Sequence, residues 1–262
     1  MDITTDLTAK DLTIIILAAG KGKRMNNPDL PKVMVKLDGE PLIGHVLRQA
    51  LQLEPRQIIV VTGHCKEQVI SYVSSEFGNS AEFVEQKEQL GTGHAALQAE
   101  SVLKSYSGDA LILSGDVPLL QASTMSDFVT RHRRYRPIVM ASVLTMTIDN
   151  PAGYGRILRS PDGEFLRIVE SKDAMPDESA VCEVNSGVYI VNAHLLFAAL
   201  RKIDNNNAQK EFYLTDIIGI LRNKKFICNA IPARDADELL GVNTPDDLAC
   251  AERVYREKFA AK

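Results

Sequence analysis

Only four cysteines occur, Cys65, Cys182, Cys228 and Cys250, and no two of them make a CxxC pair or a zinc-ligand spacing. A disulfide framework and a zinc centre are thereby set aside, and free thiols in or near the core of a cytoplasmic protein are expected. No apolar run approaches the roughly 18 residues needed to cross a bilayer, so no membrane partner is expected. The opening residues, Met-Asp-Ile-Thr-Thr-Asp, are polar and acidic, unlike a signal peptide. A basic excess is lacking as well. The formal net charge is -4, which argues against nucleic acid as a partner. The five histidines show no H-E-x-x-H or other metal spacing, so none receives a catalytic role, and there is no serine nucleophile elbow.

Two familiar phosphate-binding signatures are also missing, the G-x-x-x-x-G-K-[ST] of the P-loop and the G-x-G-x-x-G of the dinucleotide fold. In their place, an apolar strand over Leu12–Ala18 runs straight into Ala19-Gly20-Lys21-Gly22-Lys23-Arg24-Met25, with Pro31-Lys32 beyond. Small residues let backbone amides approach phosphate oxygens, and Arg24 and Lys32 supply counter-charge. Pro28 and Pro31 stiffen the exit of the loop, so that Lys32 is held in place. The pattern reads as a triphosphate site.

The 262 residues are 45% hydrophobic and 24% charged, ordinary for a globular enzyme. Short apolar runs alternate with amphipathic stretches. Strands are expected over Leu12–Ala18, Gln57–Thr62, Ala81–Glu85 and Ala110–Ser114, and helices over Leu42–Leu53, Cys65–Ser75 and Gly93–Lys104. This rhythm predicts an α/β fold, doubly wound, with a mainly parallel Rossmann-like sheet. After about Pro137 strands follow one another: Ile138–Ile148, Arg156–Arg159, Phe165–Glu170 and Val181–Val191, with a hairpin turn at Ser160-Pro161-Asp162-Gly163. An antiparallel or mixed portion is expected there. It is followed by helices over His194–Lys202 and Asp216–Arg222, a strand over Phe226–Ile231 and a closing helix over Pro245–Lys258. One domain over 1–262 is expected, with a nucleotide-binding half at about 12–136 and a second half at about 137–262. The basic cluster Arg131-His132-Arg133-Arg134-Tyr135-Arg136 reads as a solvated helix end before Pro137.

Four further segments carry chemistry. Leu111-Ile112-Leu113-Ser114-Gly115-Asp116 delivers a carboxylate at the carboxyl end of a strand, where open α/β sheets bind ligands and where Mg²⁺ finds hard oxygen donors. Gln86-Lys87-Glu88-Gln89-Leu90-Gly91-Thr92-Gly93-His94 joins a strand end to a helix start; Gln86 offers a donor and an acceptor to a nucleobase edge, and Thr92 alone would serve as a helix cap. Gly153-Tyr154-Gly155-Arg156, Val169-Glu170 and Asn185-Ser186-Gly187 offer carboxylate and amide groups suited to sugar hydroxyls. Gly241-Val242-Asn243-Thr244-Pro245-Asp246-Asp247 is a well-made helix start, with Thr244 as cap, and on these grounds Asn243 needs no function.

With these motifs in place the chain resembles the sugar-nucleotidyltransferase superfamily, whose signature is L-x-A-G-x-G-x-R-M followed by P-K. Within it the chain looks like the N-terminal uridyltransferase domain of the bacterial N-acetylglucosamine-1-phosphate uridyltransferases. The first loop marks only the class. Gln89-Leu90-Gly91-Thr92-Gly93-His94-Ala95, Gly153-Tyr154-Gly155-Arg156-Ile157, Asn205-Asn206-Asn207-Ala208-Gln209 and Tyr213-Leu214-Thr215-Asp216 are more specific. The resemblance implies that Leu17, Ala18, Ala19 and Gly20 contact the nucleotide, that Arg24 and Lys32 face phosphates, and that Gln86, Gly91 and Thr92 read uracil. It implies that Asp116 holds Mg²⁺ with Asn243 as second protein ligand, and that Gly155, Glu170 and Asn185 hold an N-acetylated sugar. UTP and N-acetylglucosamine 1-phosphate are the substrates it implies, and UDP-N-acetylglucosamine and pyrophosphate the products. Ser114, Ser186 and Lys210 depart from residues common at these places, which touches sugar preference and leaves the reaction class intact. Bifunctional members continue into a left-handed β-helix that this chain lacks, so acetyltransfer is not expected here, and a separate acetyltransferase partner is conceivable. The rival readings are uridylyl or thymidylyl transfer to another sugar 1-phosphate, a cytidylyl- or guanylyltransferase, and a non-catalytic nucleotide-binding paralogue.

Overall fold

Strand β1 (Leu12–Ala18) is buried at every position but Leu17, and its neighbours bury both of its faces. The computed structural model describes residues 11–22, 25 and 29–259. After β1 comes a small hairpin of β2 (Lys36–Leu37) and β3 (Glu40–Pro41), then α1 (Leu42–Leu51), β4 (Gln57–Thr62), α2 (Lys66–Phe77), β5 (Glu82–Glu85), α3 (Thr92–Gln98), α4 (Glu100–Leu103), β6 (Asp109–Ser114) and α5 (Ala122–Arg133). The second half holds β7 (Val139–Thr147), β8 (Arg156–Arg159), β9 (Phe165–Val169), α6 (Pro176–Ser179), β10 (Glu183–Asn192), α7 (Ala193–Leu200), α8 (Asp216–Asn223), β11 (Ile227–Pro232) and α9 (Pro245–Lys258).

One nine-stranded sheet runs in the order β11-β7-β10-β6-β1-β4-β5, with β8 and β9 attached alongside β10. Strands β6, β1, β4 and β5 are mutually parallel, whereas β10 runs antiparallel to both β6 and β7. This is the mainly parallel α/β sheet with antiparallel pieces that the apolar runs predict. Alternate side chains explain why those runs are continuous. Ile15, Ile59, Val61 and Ile112 enter a core covered by α3, α7 and α8, and Ile14, Ile16, Val60, Leu111 and Leu113 enter a second core covered by α1, α2 and α5. Each such side chain contributes about 1.5–3 kcal/mol by leaving water. A third cluster of Leu37, Leu42, Leu119, Val242, Ala251 and Val254 seats α9 against the β2–β3 hairpin.

Several boundaries differ from expectation. The helix expected over Gly93–Lys104 is divided at Ala99, where Ala99 N donates to Ala96 O and Val102 N to Ala99 O, three-residue bonds that tighten the backbone. The hairpin strands and α6 are too short to show periodicity. Of the cysteines only Cys228 is buried, and Cys182 is exposed. The basic cluster is a solvated end only in part, at the exposed Arg134 and Tyr135. Helix α5 does stop at Arg133, but His132 is 0% exposed, and Arg133 Nε and Arg136 turn inward onto Asp109 at 3.3 and 2.7 Å. Asp109 opens the central strand β6 and is itself 0% exposed, so its carboxyl group needs nearby cations. Among the described residues no helix is long and apolar enough to cross a membrane.

Candidate active site

Strands β1 and β6 are parallel neighbours with Leu17 level with Ser114, so the loops after them leave the same edge of the sheet. Gly115 N donates to Leu17 O at 2.9 Å, stitching the two exits together. Beyond them, Asp116 O accepts from Val242 N at 2.9 Å, which draws in the segment before α9. That segment is fixed by a reciprocal cap. Thr244 Oγ1 accepts from Asp247 N at 3.2 Å, and Asp247 Oδ2 accepts from the amides of Asn243 and Thr244, each at 2.9 Å. The helix start read from the sequence is therefore real, and it also orients Asn243.

The side chains meet at this junction. The Lys32 ammonium donates to Asp116 Oδ2 and, at 2.6 Å, to Asn243 Oδ1. The Asn243 amide nitrogen faces Gly241 O at 3.4 Å, which leaves its oxygen for Lys32. Lys32 begins a 3-10 turn, Lys32–Met34, anchored by buried Val33 and preceded by Pro31 at φ -54°. Gly22 lies against its stem. With φ at +60°, and with any added Cβ only 2.7 Å from Lys32 Cβ, position 22 requires glycine. Ala18 and Ala19 are buried, Leu17 is half-buried, and Gly20 is exposed at the mouth of the loop with nothing within 4 Å of where a Cβ would stand. Arg24 and Pro28 lie outside the described residues.

Along the same edge, Gln86 follows β5 and its amide donates to Thr62 O at 2.7 Å. Its side chain is nearly buried, at 3% exposure. Gln86 Nε2 lies 3.0 Å from Gly91 O, which can only accept, and 3.0 Å from His94 Nδ1. Both amide hydrogens are thus committed inward, so Gln86 presents an acceptor to a ligand rather than a donor and an acceptor. His94 carries this orientation, a positioning role its lone place in the sequence did not signal. Gly91, not Thr92, is the cap residue of α3; the Thr92 hydroxyl instead accepts from Leu214 N at 3.1 Å. Gly91 has φ +112°, and a Cβ there would meet Phe212 O at 2.6 Å.

The groups of the second half arrive through β10, whose direction brings Asn185-Ser186-Gly187 to the carboxyl end of β6. A bulge interrupts its pairing with β7 between Asn185 and Tyr189, and Gly187 N donates to Asn185 Oδ1 at 3.0 Å. Asn185 N donates to Gly155 O at 2.8 Å, so Gly155 and Asn185 are direct neighbours. Glu170 follows β9, and its Oε1 accepts from the Thr215 hydroxyl at 3.0 Å. Burial raises the Glu170 carboxyl above its ordinary range, the Thr215 bond offsets part of this, and the charges of Asp216, Asp173 and Glu211 raise it further. Thr215 thus supports Glu170, although the sequence marked it only as part of a recurring run. One part of the site holds the Lys32–Asp116 ion pair with Asn243, and another holds the Glu170 carboxyl and the Asn185 amide.

The chain is similar to known proteins in sequence and in fold. The bifunctional protein GlmU of Streptococcus agalactiae serotype V is 45% identical over 246 residues, 94% of this chain and 52% of that protein. The bifunctional protein GlmU of Streptococcus gordonii is 43% identical over 248 residues, 95% of this chain and again 52% of that protein. The chain thus spans about half the length of these relatives. In fold, it is similar to a UDP-glucose pyrophosphorylase solved with UDP-glucose, at a TM-score of 0.77 and 18% identity, covering 94% of this chain and 98% of that one. Residues 14–166, which contain most of β1, the loop after it, Gln86 and Asp116, match the MobA-like NTP transferase domain, and the chain belongs to that family.

Proposed function

We propose that the chain transfers a uridylyl group from UTP to N-acetylglucosamine 1-phosphate, giving UDP-N-acetylglucosamine and pyrophosphate. The observation that carries this reading is the meeting of Lys32, Asp116 and Asn243 at the sheet edge. Two hard oxygens, Asp116 Oδ2 and Asn243 Oδ1, already face one cationic group, the ammonium of Lys32, so the donor set suits Mg²⁺. When bound there, Mg²⁺ would neutralise charge on the phosphates.

The roles of the chain's own groups follow. Leu17, Ala18, Ala19 and Gly20 bring backbone close to the triphosphate, and Lys32 and Arg24 offset charge on the departing pyrophosphate. A sugar-phosphate oxygen forms a bond to the α-phosphorus as the bond to the bridging oxygen breaks in line with it. That oxygen is already anionic, so no base or protein nucleophile is needed, and positioning does most of the work. Gln86 Oε1 accepts from the imide N–H of uracil; cytosine offers no hydrogen at that ring nitrogen, which disfavours CTP. Thr92 and Gly91 shape the same subsite. Glu170, Asn185 and Gly155 hold sugar hydroxyls and the N-acetyl group, away from the phosphates. In this reading residues of about 12–136 bind the nucleotide and those of about 137–262 the sugar, within one domain in the cytoplasm, and any acetylation of the sugar belongs to other protein segments.

The test is pyrophosphate release from UTP, dTTP and CTP paired with N-acetylglucosamine 1-phosphate or glucose 1-phosphate, with and without Mg²⁺. UTP with the N-acetylated sugar should turn over fastest, and only with the divalent ion. Equal turnover with CTP would reject the role of Gln86, and no turnover with any pair would reject the enzyme.

A further inference from the structure

In the reading above Asp116 and Asn243 would hold the divalent ion, and both already bond the Lys32 ammonium. The ammonium bonds one oxygen of each, Asp116 Oδ2 and Asn243 Oδ1. An ammonium and a divalent cation on the same two oxygens would sit within a few ångströms of each other and repel, so each disfavours the other there. The backbone around Lys32 is held by the turn Lys32–Met34 and by buried Val33, but its four-carbon stem can redirect the charge without moving that backbone. Gly22 lies directly against Lys32 Cβ, so the loop after β1 and the base of the Lys32 side chain are in contact.

We propose that Lys32 is a resident counter-ion for the Asp116–Asn243 pair, holding the metal position until a triphosphate draws its ammonium onto the phosphates. This rests on the metal reading given above. Metal and nucleotide then bind cooperatively. The nucleotide removes the competing ammonium, and by linkage the metal releases Lys32 for the nucleotide. Lys32 is in this respect a positioning residue for metal entry, in addition to its charge on the phosphates. Without the triphosphate, the pair is neutralised internally and a divalent ion has little reason to enter.

The test uses Mn²⁺ and the nucleotide-free protein, with free Mn²⁺ read by electron paramagnetic resonance. Lys32→Met should bind Mn²⁺ at least tenfold more tightly than the parent, and Lys32→Met combined with Asp116→Asn should lose that gain. Lys32→Gln, read in the same way, covers the case in which the methionine variant folds poorly, as judged by its melting temperature. Binding no tighter than the parent in both single variants overturns the proposal, and so does a gain that persists in the double variant. Should the Mn²⁺ results hold while no nucleotide and sugar phosphate release pyrophosphate, the enzymatic reading fails and the counter-ion stands.

Discussion

Lys32 bonds the carboxylate of Asp116 across 84 positions of sequence, joining the chain that leaves β1 to the end of β6. The contact depends on the parallel register of these strands, which sets Leu17 beside Ser114 and sends both exits to one edge. Asn243 reaches the same point only because the cap of α9 is tied to Asp116 O through Val242 N. Three distant segments therefore share one centre of charge.

Asp116→Asn should lower kcat by about 10²–10³, the loss of roughly 2.7–4 kcal/mol found when one preorganised electrostatic group is removed. Folding should change less than turnover, because the side chain is only partly buried and the Lys32 ammonium keeps Asn243 Oδ1 as a partner. The check is steady-state turnover at saturating Mg²⁺ beside a melting curve. Near-normal turnover would remove Asp116 from the reacting centre.

Gly91→Ala should both destabilise the protein and weaken UTP binding. At φ +112°, with Phe212 O 2.6 Å from the added Cβ, the alanine must displace backbone, and strain of this kind costs about 1–3 kcal/mol. The displacement also moves Gly91 O, one of the two acceptors that orient Gln86. A urea titration should show the stability loss, and KM for UTP should rise more than KM for the sugar phosphate. An unchanged KM for UTP would separate this turn from base recognition.

Much of this geometry was legible because it rests on local patterns. The continuous apolar run of β1 announced a strand buried on both faces, and Asp116 announced itself by ending such a run. Asn243 was not legible on physical grounds, since a capped helix start accounts fully for its segment, and only the family resemblance singled it out. His94 and Thr215 escaped for a different reason. Each acts on another side chain, Gln86 or Glu170, and that pairing exists only once the chain has folded. The basic run at Arg131–Arg136 misled because its partner, Asp109, lies 24 residues before Arg133, at the buried start of a strand.

Glu170→Gln should act on the sugar phosphate and spare the nucleotide. A hydrogen bond to a charged group is worth about 1.5–3 kcal/mol, so KM for N-acetylglucosamine 1-phosphate should rise about 10- to 100-fold. KM for UTP should stay within about twofold, because Gln86 and the first loop belong to the other half of the site. Equal increases for both substrates would show that Glu170 supports the fold instead of the sugar.

Acid should destabilise the protein through His132. Burial first, and then the charges of Arg136 and Arg133, pull its imidazole down from 6.5 to about 3. In the unfolded chain the same group takes up a proton near 6.5, so between that value and about 3 the unfolded state holds a proton that the folded state lacks. The stability is present above pH 6.5 and is lost as pH falls, at up to about 1.4 kcal/mol per pH unit. Asp109 opposes this trend. Burial raises its carboxyl above 3.8 against the pull of Arg136 and Arg133, and a raised carboxyl favours the folded state as pH falls. His132→Gln removes the histidine's part and leaves that of Asp109. The variant should be less stable at pH 7, having lost the bond to Ser142 Oγ at 2.9 Å, yet its urea midpoint should fall less between pH 6.5 and 4.5 than the parent's. A variant as acid-sensitive as the parent would place the responsible group elsewhere.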